Sequence, residues 1–255
     1  MGVAIEYRKV SFAITPTRLL LDNISLDLEE GTTTAVLGRS GSGKTTLLRT
    51  TNRMIEPTSG DVLVRGKNTR DSDLIALRRS IGYVIQETGL FPHFNVERNV
   101  AVVLEASGTP RAQRVRRSHE LLDAVGLDAK QFALRHPHQL SGGQRQRVGL
   151  ARALAADPGI LLMDEPFGAL DPLTRAEMQD MLSGLMKKMN KTVLLVTHDL
   201  DEALYLAHRI VLLEQGKLIA NLTPSEFLQS ELAAVKAYVA AFHRGSRSAA
   251  GEVRA

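Results

Sequence analysis

A phosphate-binding loop is indicated by residues 38–45, which read GRSGSGKT. Its three glycines let the backbone turn tightly and leave amide N–H groups open to an anion. An apolar run, 34–37, precedes it, and a predicted helix, 44–54, follows, so the positive end of the helix dipole points at the same anion. In that context Lys44 would reach the β- and γ-phosphates of a nucleotide, and the Thr45 hydroxyl would hold Mg²⁺. A chance glycine-rich turn is the alternative, and the flanking strand and helix argue against it.

Polar residues also end three further predicted strands. They are Gln86 after 81–85, Asp164 and Glu165 after 160–163, and His198 at the end of 192–197. Ligands of open α/β sheets bind at the carboxyl ends of the strands, so we expect these side chains to gather beside the loop.

Nucleotide hydrolysis requires positioning and charge neutralisation around the γ-phosphate. We expect Thr45 and Asp164 to hold the metal, directly or through water, and Gln86 to complete the geometry of metal and water. Glu165 would polarise the attacking water, and His198 would contact the γ-phosphate. Taken alone, His198 is better explained as a hydrogen-bonded core histidine, and the adjacent carboxylates as a solvated strand end. Their shared place at strand ends favours the catalytic interpretation.

A second glycine turn opens another predicted helix and comprises Leu140, Ser141, Gly142, Gly143 and Gln144. A helix N-terminus attracts anions, yet the first loop already encloses the phosphates of one nucleotide. We therefore expect this turn to contact the nucleotide of a second copy of the chain. The alternative is an N-cap serine followed by two flexible glycines.

Hydrophobic patterning predicts an α/β fold, with an antiparallel flank beside a mostly parallel core sheet. Helical stretches at 96–107 and 110–125 indicate a helical insertion, with bounds of about 87–157. Helix starts are predicted at Asp171, at Thr223 and at Asp199, where Glu202 would complete an acidic capping box. Residues 244–255 are predicted to form a frayed tail. The predicted strands are 3–12, 19–28, 32–37, 61–65, 81–85, 160–163, 192–197, 210–213 and 218–222.

Composition excludes several classes of protein. The 255 residues suffice for a large core, and the absence of cysteine excludes disulfides and a thiol nucleophile. A net charge of +4, from 32 basic and 28 acidic residues, does not by itself indicate nucleic acid. The first nine residues do not resemble a secretory signal, and no apolar run approaches the roughly 18 residues that span a bilayer.

The phosphate-binding loop, Gln86, the second glycine turn, Asp164 with Glu165, and His198 follow one another along the chain. In this order, these motifs resemble those of the nucleotide-binding subunit of ATP-binding cassette (ABC) transporters. The resemblance covers essentially the whole chain and implies a P-loop NTPase of the ABC type, with residues 1–243 as the ATPase domain. In the family's terms, the matching segments are the Walker A loop 38–45, the Q-loop at Gln86, the signature 140–144, the Walker B strand 160–164, the catalytic Glu165, the D-loop 169–171 with Asp171, and the switch His198.

The same resemblance implies the cofactors, the site and the partners. ATP and Mg²⁺ would be bound, with Glu165, His198, Gln86 and Lys44 as catalytic residues and Thr45, Gln86 and Asp164 at the metal. Two copies would close head to tail on two ATP and drive membrane permease subunits from the cytoplasmic face of the cell membrane, through coupling helices near the Q-loop. Contacts to ATP are implied for Gly38, Arg39, Ser40, Gly41, Ser42, Gly43, Lys44, Thr45, Thr46 and Ile14.

One departure from the family concerns the base. An aromatic residue after the first strand usually stacks on adenine, and Ile14 occupies the expected place here. An aliphatic side chain would weaken stacking, so base selectivity is left open.

The cargo is suggested by segments 84–94, 137–147 and 165–175, which look most like bacterial importers of osmoprotectants and quaternary amines such as glycine betaine and choline. A periplasmic or lipoprotein substrate-binding protein would be an indirect partner, and no nucleic acid is expected. Other cargoes, such as phospholipids, amino acids or anions, stay open. A non-transport relative would carry a long coiled-coil insertion or tandem cassettes, which this sequence lacks. Well-known members of the group append CBS domains; the chain stops soon after its last predicted helix, so we expect no such sensor in it.

Overall fold

Two β-sheets, ten α-helices and two short 3-10 helices (Thr69–Asp71 and Pro137–Gln139) occur in the described part of the chain, which comprises residues 2–15, 17–86 and 88–251 of a computed structural model, with side chains as far as residue 242. The strands are β1 (Val3–Thr15), β2 (Arg18–Glu29), β3 (Thr33–Leu37), β4 (Ser59–Val64), β5 (Lys67–Asn68), β6 (Ile81–Val84), β7 (Ile160–Asp164), β8 (Thr192–Val196), β9 (Arg209–Glu214) and β10 (Lys217–Leu222). The helices are α1 (Lys44–Thr51), α2 (Leu74–Ser80), α3 (Val96–Ala106), α4 (Arg111–Ala124), α5 (Ala129–Phe132), α6 (Gly142–Leu154), α7 (Pro172–Met189), α8 (Leu200–Leu206), α9 (Pro224–Gln229) and α10 (Ala233–Gly251).

The larger sheet has the order β10-β9-β3-β8-β7-β6 and is parallel except for β10. Every residue of β3, β7 and β8 is buried. A parallel sheet covered on both faces requires continuous apolar strands, which explains the uninterrupted runs in the sequence. The smaller, antiparallel sheet has the order β2-β1-β4-β5. These sheets confirm the predicted α/β class.

Successive residues of the parallel strands pack into different hydrophobic clusters. Leu161 and Leu195 pack with the helices α3, α4, α6 and α7. Leu162 and Leu194 pack with α1 and the antiparallel sheet, where Leu47 is fully buried. This alternation follows from the period of two along a strand. The parallel pairing of the strands places the carboxyl ends of β3, β6, β7 and β8 at one edge of the sheet.

Several details differ from the predictions. Helix α1 ends at Thr51 rather than at 54, and α2 was not predicted, although Asp73 caps it by accepting the amide of Ala76 at 2.7 Å. Helix α10 continues to Gly251, so it covers part of the segment that we predicted as a tail; residues 252–255 lie outside the described residues. Among the described residues, no helix is long and apolar enough to cross a membrane.

The predicted acidic capping box at α8 is wrong. Asp199 does cap the helix, because its Oδ1 accepts the amides of Asp201 and Glu202 at 2.9 and 3.3 Å. The Glu202 side chain does not return to the cap: its Oε2 accepts the Thr197 hydroxyl at 2.5 Å, and the residue is 3% exposed. The carboxylate therefore turns to the residue that follows β8 instead of to the helix cap.

Candidate functional site

The loop between β3 and α1 depends on glycine at two close approaches. A Cβ on Gly38 would lie 2.3 Å from the Leu213 carbonyl oxygen, and a Cβ on Gly43 would lie 2.5 Å from that of Leu20. Gly43 has a φ of 101°, in the region that favours glycine, and occupies the N-cap of α1 without a side-chain cap. The first amides of α1 are therefore not capped by a side chain and can bind an anion.

Lys44 lies along this loop and is 7% exposed. Its Nζ donates to the carbonyl oxygens of Gly38 and Arg39, at 2.8 and 3.1 Å. Burial lowers the pKa of Lys44, and the nearby Asp164 and Glu165 oppose that shift. The loop thus satisfies its own ammonium group with backbone oxygens.

A cleft of about 410 Å³ lies over the loop. The predicted phosphate loop and two of the predicted catalytic side chains line this one cleft. Its lining residues are Leu20, Ser40, Gly41, Ser42, Gly43, Lys44, Thr45, Thr46, Glu165 and His198.

Glu165 is the meeting point of the predicted catalytic residues. Its Oε2 lies 3.3 Å from His198 Nδ1 and accepts a hydrogen bond of 3.5 Å from Gln86 Nε2. The backbone of Glu165 has a φ of 47°, and its amide donates to the Val196 carbonyl at 2.9 Å. The side chains after β6, β7 and β8 therefore converge as the strand ends predicted.

Hard oxygen donors beside the cleft suit Mg²⁺. The Thr45 hydroxyl donates to Asp164 Oδ1 at 2.8 Å, and Asp164 is 6% exposed with Arg49 3.8 Å from its other oxygen. The buried Ser42 Oγ has no hydrogen-bond partner within the described chain. No group of three or more histidine, cysteine or acidic side chains suited to a metal occurs among the described residues. The donor set therefore fits a cation that is shared with a phosphate rather than held by the protein alone.

The second glycine turn lies elsewhere, because none of its residues lines this cleft. The Ser141 hydroxyl accepts the Gln144 amide at 3.2 Å, and the Gln144 side chain accepts the Ser141 amide at 3.0 Å, which is a complete capping box. A Cβ on Gly143 would lie 2.4 Å from Thr174 Cγ2, whereas a Cβ on Gly142 would meet nothing within 4 Å. Packing within this chain explains why residue 143 is glycine and does not explain why residue 142 is glycine.

Arg175 was not singled out from the sequence. It donates to the Leu170 carbonyl at 3.3 Å, lies 3.3 Å from Asp199 Oδ2, and lies 3.9 Å from Glu202 Oε1. Burial raises the pKa of Glu202, with Arg175 opposing the shift. Arg175 therefore joins the segment before α7 to the residues that flank His198. Asp171 caps α7, as predicted, by accepting the Thr174 amide at 3.1 Å.

Ile14 lies on β1 with 54% of its surface exposed. It is not among the described residues that line the cleft, whereas Leu20 of the neighbouring strand is. Gln146 also escaped prediction: its Nε2 donates to the Gln86 carbonyl at 3.2 Å. The signal available in the sequence was a glutamine at a position of the predicted helix that faces the core.

A glycine loop before a helix, acidic strand ends and a capped second glycine turn define an ATP-binding cassette. A model of the ABC transporter family matches residues 21–168, and the chain belongs to that family.

Relatives and solved structures agree with this family. An osmoprotectant import ATP-binding protein of Salmonella typhimurium is 50% identical over 208 residues, which are 82% of this chain and 54% of the relative. A glycine betaine uptake system ATP-binding protein of Escherichia coli is 44% identical over 88% of this chain and 72% of its own length. A dimeric ATP-binding cassette solved in a post-hydrolysis state with ADP and Pi has a TM-score of 0.77 and 34% identity, over 86% of this chain and 98% of that one. The chain spans little more than half the length of the first curated relatives, at 54, 59 and 55%.

Proposed function

We propose that this chain is the ATPase subunit of an ABC importer for osmoprotectants of the quaternary-amine class. The observation that carries the ATPase part is the position of Glu165, whose carboxylate lines the same cleft as the phosphate loop and lies against His198 and Gln86. A protein that only binds nucleotide gains nothing from a carboxylate at this place, because the carboxylate repels phosphate. Hydrolysis, in contrast, needs a base there to activate the attacking water.

The remaining roles in this proposal follow from the contacts. The loop amides and Lys44 bind the phosphates, once Lys44 Nζ exchanges the carbonyl oxygens of Gly38 and Arg39 for phosphate oxygens. Thr45 and Asp164, with Gln86, hold Mg²⁺, which neutralises charge on the phosphate oxygens when bound.

Chemistry at the γ-phosphate falls to two side chains. Glu165 orients and polarises the attacking water, and His198, next to Glu165 in the same cleft, contacts the γ-phosphate. His198 Nδ1 and Glu165 Oε2 are 3.3 Å apart, so both side chains can reach one water beside the phosphate.

We further propose that two copies share each nucleotide. Gly142 is exposed, a Cβ there would meet nothing within 4 Å among the described residues, and Ser141 is exposed beside it. The second glycine turn, 140–144, would then close over the nucleotide in the cleft of the other copy. The dimeric cassette structure supports this arrangement.

The import role rests on the relatives, which are named for osmoprotectant and glycine betaine import. In this proposal residues 1–243 are one ATPase domain with a helical subdomain at 87–157, and the domain works at the cytoplasmic face of the membrane on permease subunits. A substrate-binding protein would deliver the cargo. Uptake of labelled glycine betaine by the assembled transporter in vesicles would support it, and ATP-driven uptake of a different class of cargo alone would contradict it.

The ATPase proposal is tested by Glu165→Gln. This change removes the base and keeps the shape, so we expect steady-state hydrolysis to fall by about 10²–10⁴-fold while ATP still binds. Glu56→Gln is the matched control, because that carboxylate is exposed and pairs only with Arg53 among its described contacts. Unchanged hydrolysis by Glu165→Gln would refute the assigned base.

The shared site is tested by mixing two inactive variants. Lys44→Ala disables the phosphate loop and Ser141→Arg blocks the second glycine turn, so each homodimer has two defective sites. A heterodimer regains one complete site, and the mixture should recover hydrolysis. Failure of the mixture to recover, with heterodimers demonstrated by differential tagging, would count against sharing.

A further inference from the structure

Tyr238 lies on α10, some 40 residues after the last predicted catalytic residue, and none of the roles above uses it. Its hydroxyl donates to the His198 carbonyl oxygen at 3.1 Å. Gly38, the first residue of the phosphate loop, lines one recess together with Tyr238 and His198. The hydroxyl thus holds the backbone of the residue that contacts the γ-phosphate at the edge of the phosphate loop.

Two residues of this recess lead directly to groups that act on the nucleotide. His198 presents Nδ1 3.3 Å from Glu165 Oε2. The Gly38 carbonyl oxygen accepts Lys44 Nζ at 2.8 Å. The Tyr238 hydroxyl is therefore one residue away from the catalytic carboxylate, and its recess adjoins the residue that binds the phosphate-binding lysine.

The anchorage of α10 gives the hydroxyl a fixed position. Val235 is fully buried in a cluster with Leu200, Leu212 and Phe227, and Tyr238 packs at its margin. The ring forms one wall of a recess of about 240 Å³ behind the loop, which Arg39 and His198 also line. A long, rigid aromatic side chain on an anchored helix can hold a backbone carbonyl at a defined distance.

The hydroxyl also keeps its proton under ordinary conditions. Burial raises the pKa of Tyr238 to about 12, and the carboxylate of Asp199 adds to the shift. Arg39 and Glu214 are the other charged residues that line the recess. Tyr238 therefore remains a donor to the His198 carbonyl throughout the pH range of an ATPase assay.

We infer that Tyr238 is a positioning residue for ATP hydrolysis, which sets the place of His198 beside the phosphate loop through the hydrogen bond from its hydroxyl to the His198 carbonyl. The inference rests on the proposed ATPase function. It predicts an effect on the chemical step that passes through His198, and not merely a contribution of α10 to folding.

The test uses the full chain with Tyr238→Phe, His198→Ala and the double variant. Loss of one hydrogen bond to a reacting element should lower kcat by about 3- to 10-fold with a smaller change in KM. In the His198→Ala background, the additional Tyr238→Phe change should have little effect, because the group it positions is gone. Tyr205→Phe is the matched control, since that exposed tyrosine bonds Asp180, away from the cleft, and its kcat should equal the wild-type value.

The outcomes separate the two proposals. No hydrolysis by the wild-type chain would overturn the proposed function itself. Hydrolysis by the wild type with an unchanged kcat in Tyr238→Phe would overturn the positioning role alone, and so would losses that multiply fully in the double variant. Little further loss in the double variant would support it.

A second variant covers the case in which Tyr238→Phe does not fold. Difluorotyrosine at position 238 keeps the ring and the hydroxyl but lowers the pKa of the phenol. Its kcat should fall at alkaline pH, where the anion can no longer donate to His198, while the wild type stays active. Superimposable pH profiles would overturn the inference.

Discussion

Two glycine turns open helices in this molecule, and they treat their backbone amides in opposite ways. In the phosphate loop, Gly43 occupies the N-cap of α1, and no side chain caps the helix. In the second glycine turn, Ser141 and Gln144 exchange hydrogen bonds and so satisfy each other's amides. The first turn leaves donors for a ligand, whereas the second has already used part of its own.

The surroundings of the two turns differ in the same sense. The phosphate loop lies under a cleft that also contains Glu165 and His198. At the second turn, Gly142 faces open space and Gly143 packs tightly on Thr174. A glycine turn before a helix therefore does not by itself define a binding site. The first is completed by side chains of its own chain, and the second would be completed by another copy in the proposed dimer.

The largest effect is expected from Gly43→Ala. The new Cβ would lie 2.5 Å from the Leu20 carbonyl oxygen at a φ of 101°, so strand β2 and the loop would have to separate. We expect the free energy of unfolding to fall by about 2–4 kcal/mol, together with loss of ATP binding. Chemical denaturation and nucleotide titration measure the two effects.

Gly41→Ala separates backbone strain from the clash. Gly41 also has a left-handed φ, of 78°, but a Cβ there meets nothing within 4 Å. Its cost in unfolding free energy should be about 1–2 kcal/mol, from conformation alone. Equal destabilisation by both alanines would show that the contact between the loop and Leu20 is unimportant.

An intermediate effect is expected at the second turn, where adjacent glycines should respond differently. Gly143→Ala puts a methyl group 2.4 Å from Thr174 Cγ2 and should destabilise the fold by about 1–3 kcal/mol; Thr174→Ser, which removes that methyl, should restore stability. Gly142→Ala should leave stability equal or about 1 kcal/mol higher, because alanine favours the helix. Thermal melts distinguish them.

Gly142→Ala is also the sharper test of the comparison itself. If the second turn closes over another copy's nucleotide, hydrolysis should fall although the fold is intact. Full activity in this variant would mean that the turn is only a helix cap, and the difference between the two turns would lose its functional meaning.

The smallest effect is expected in the number of protons taken up when ATP binds. Burial lowers the pKa of Lys44 in the free protein, and a bound triphosphate would raise it by favouring the charged form. ATP binding at an alkaline pH below the usual lysine pKa should therefore take up a fraction of a proton, and affinity should weaken as the pH rises. Calorimetry in buffers of different ionisation enthalpy measures this uptake. Lys44→Arg should show none, since arginine stays charged; equal uptake by both would contradict the assignment to Lys44.

The sequence predicted the elements whose causes are local. Buried parallel strands require continuous apolar runs, so β3, β7 and β8 were placed within about a residue, and the capping residues Asp171 and Thr223 marked the starts of α7 and α9. The convergence of Gln86, Glu165 and His198 followed from strand topology alone.

The partners contributed by distant elements could not be predicted. Tyr238 and Arg175 contact the segment around His198 from α10 and α7, and no spacing in the sequence relates these positions. Glu202 has the spacing of a capping box, but its carboxylate turns inward to Thr197 and lies 3.9 Å from Arg175 of α7. A cap requires only neighbours in sequence, whereas the position of Arg175 requires the packed fold.

The left-handed backbone conformation of Glu165 lowers the free energy of unfolding of the protein. A non-glycine residue at a φ of 47° gives up about 1–2 kcal/mol relative to a relaxed conformation, and the bond from its amide to Val196 holds it there. Glycine at this position would relieve the strain, and under the proposed mechanism it would also remove the base. In that case stability and turnover cannot both be maximised at residue 165, and selection for heat resistance alone would favour inactive variants there.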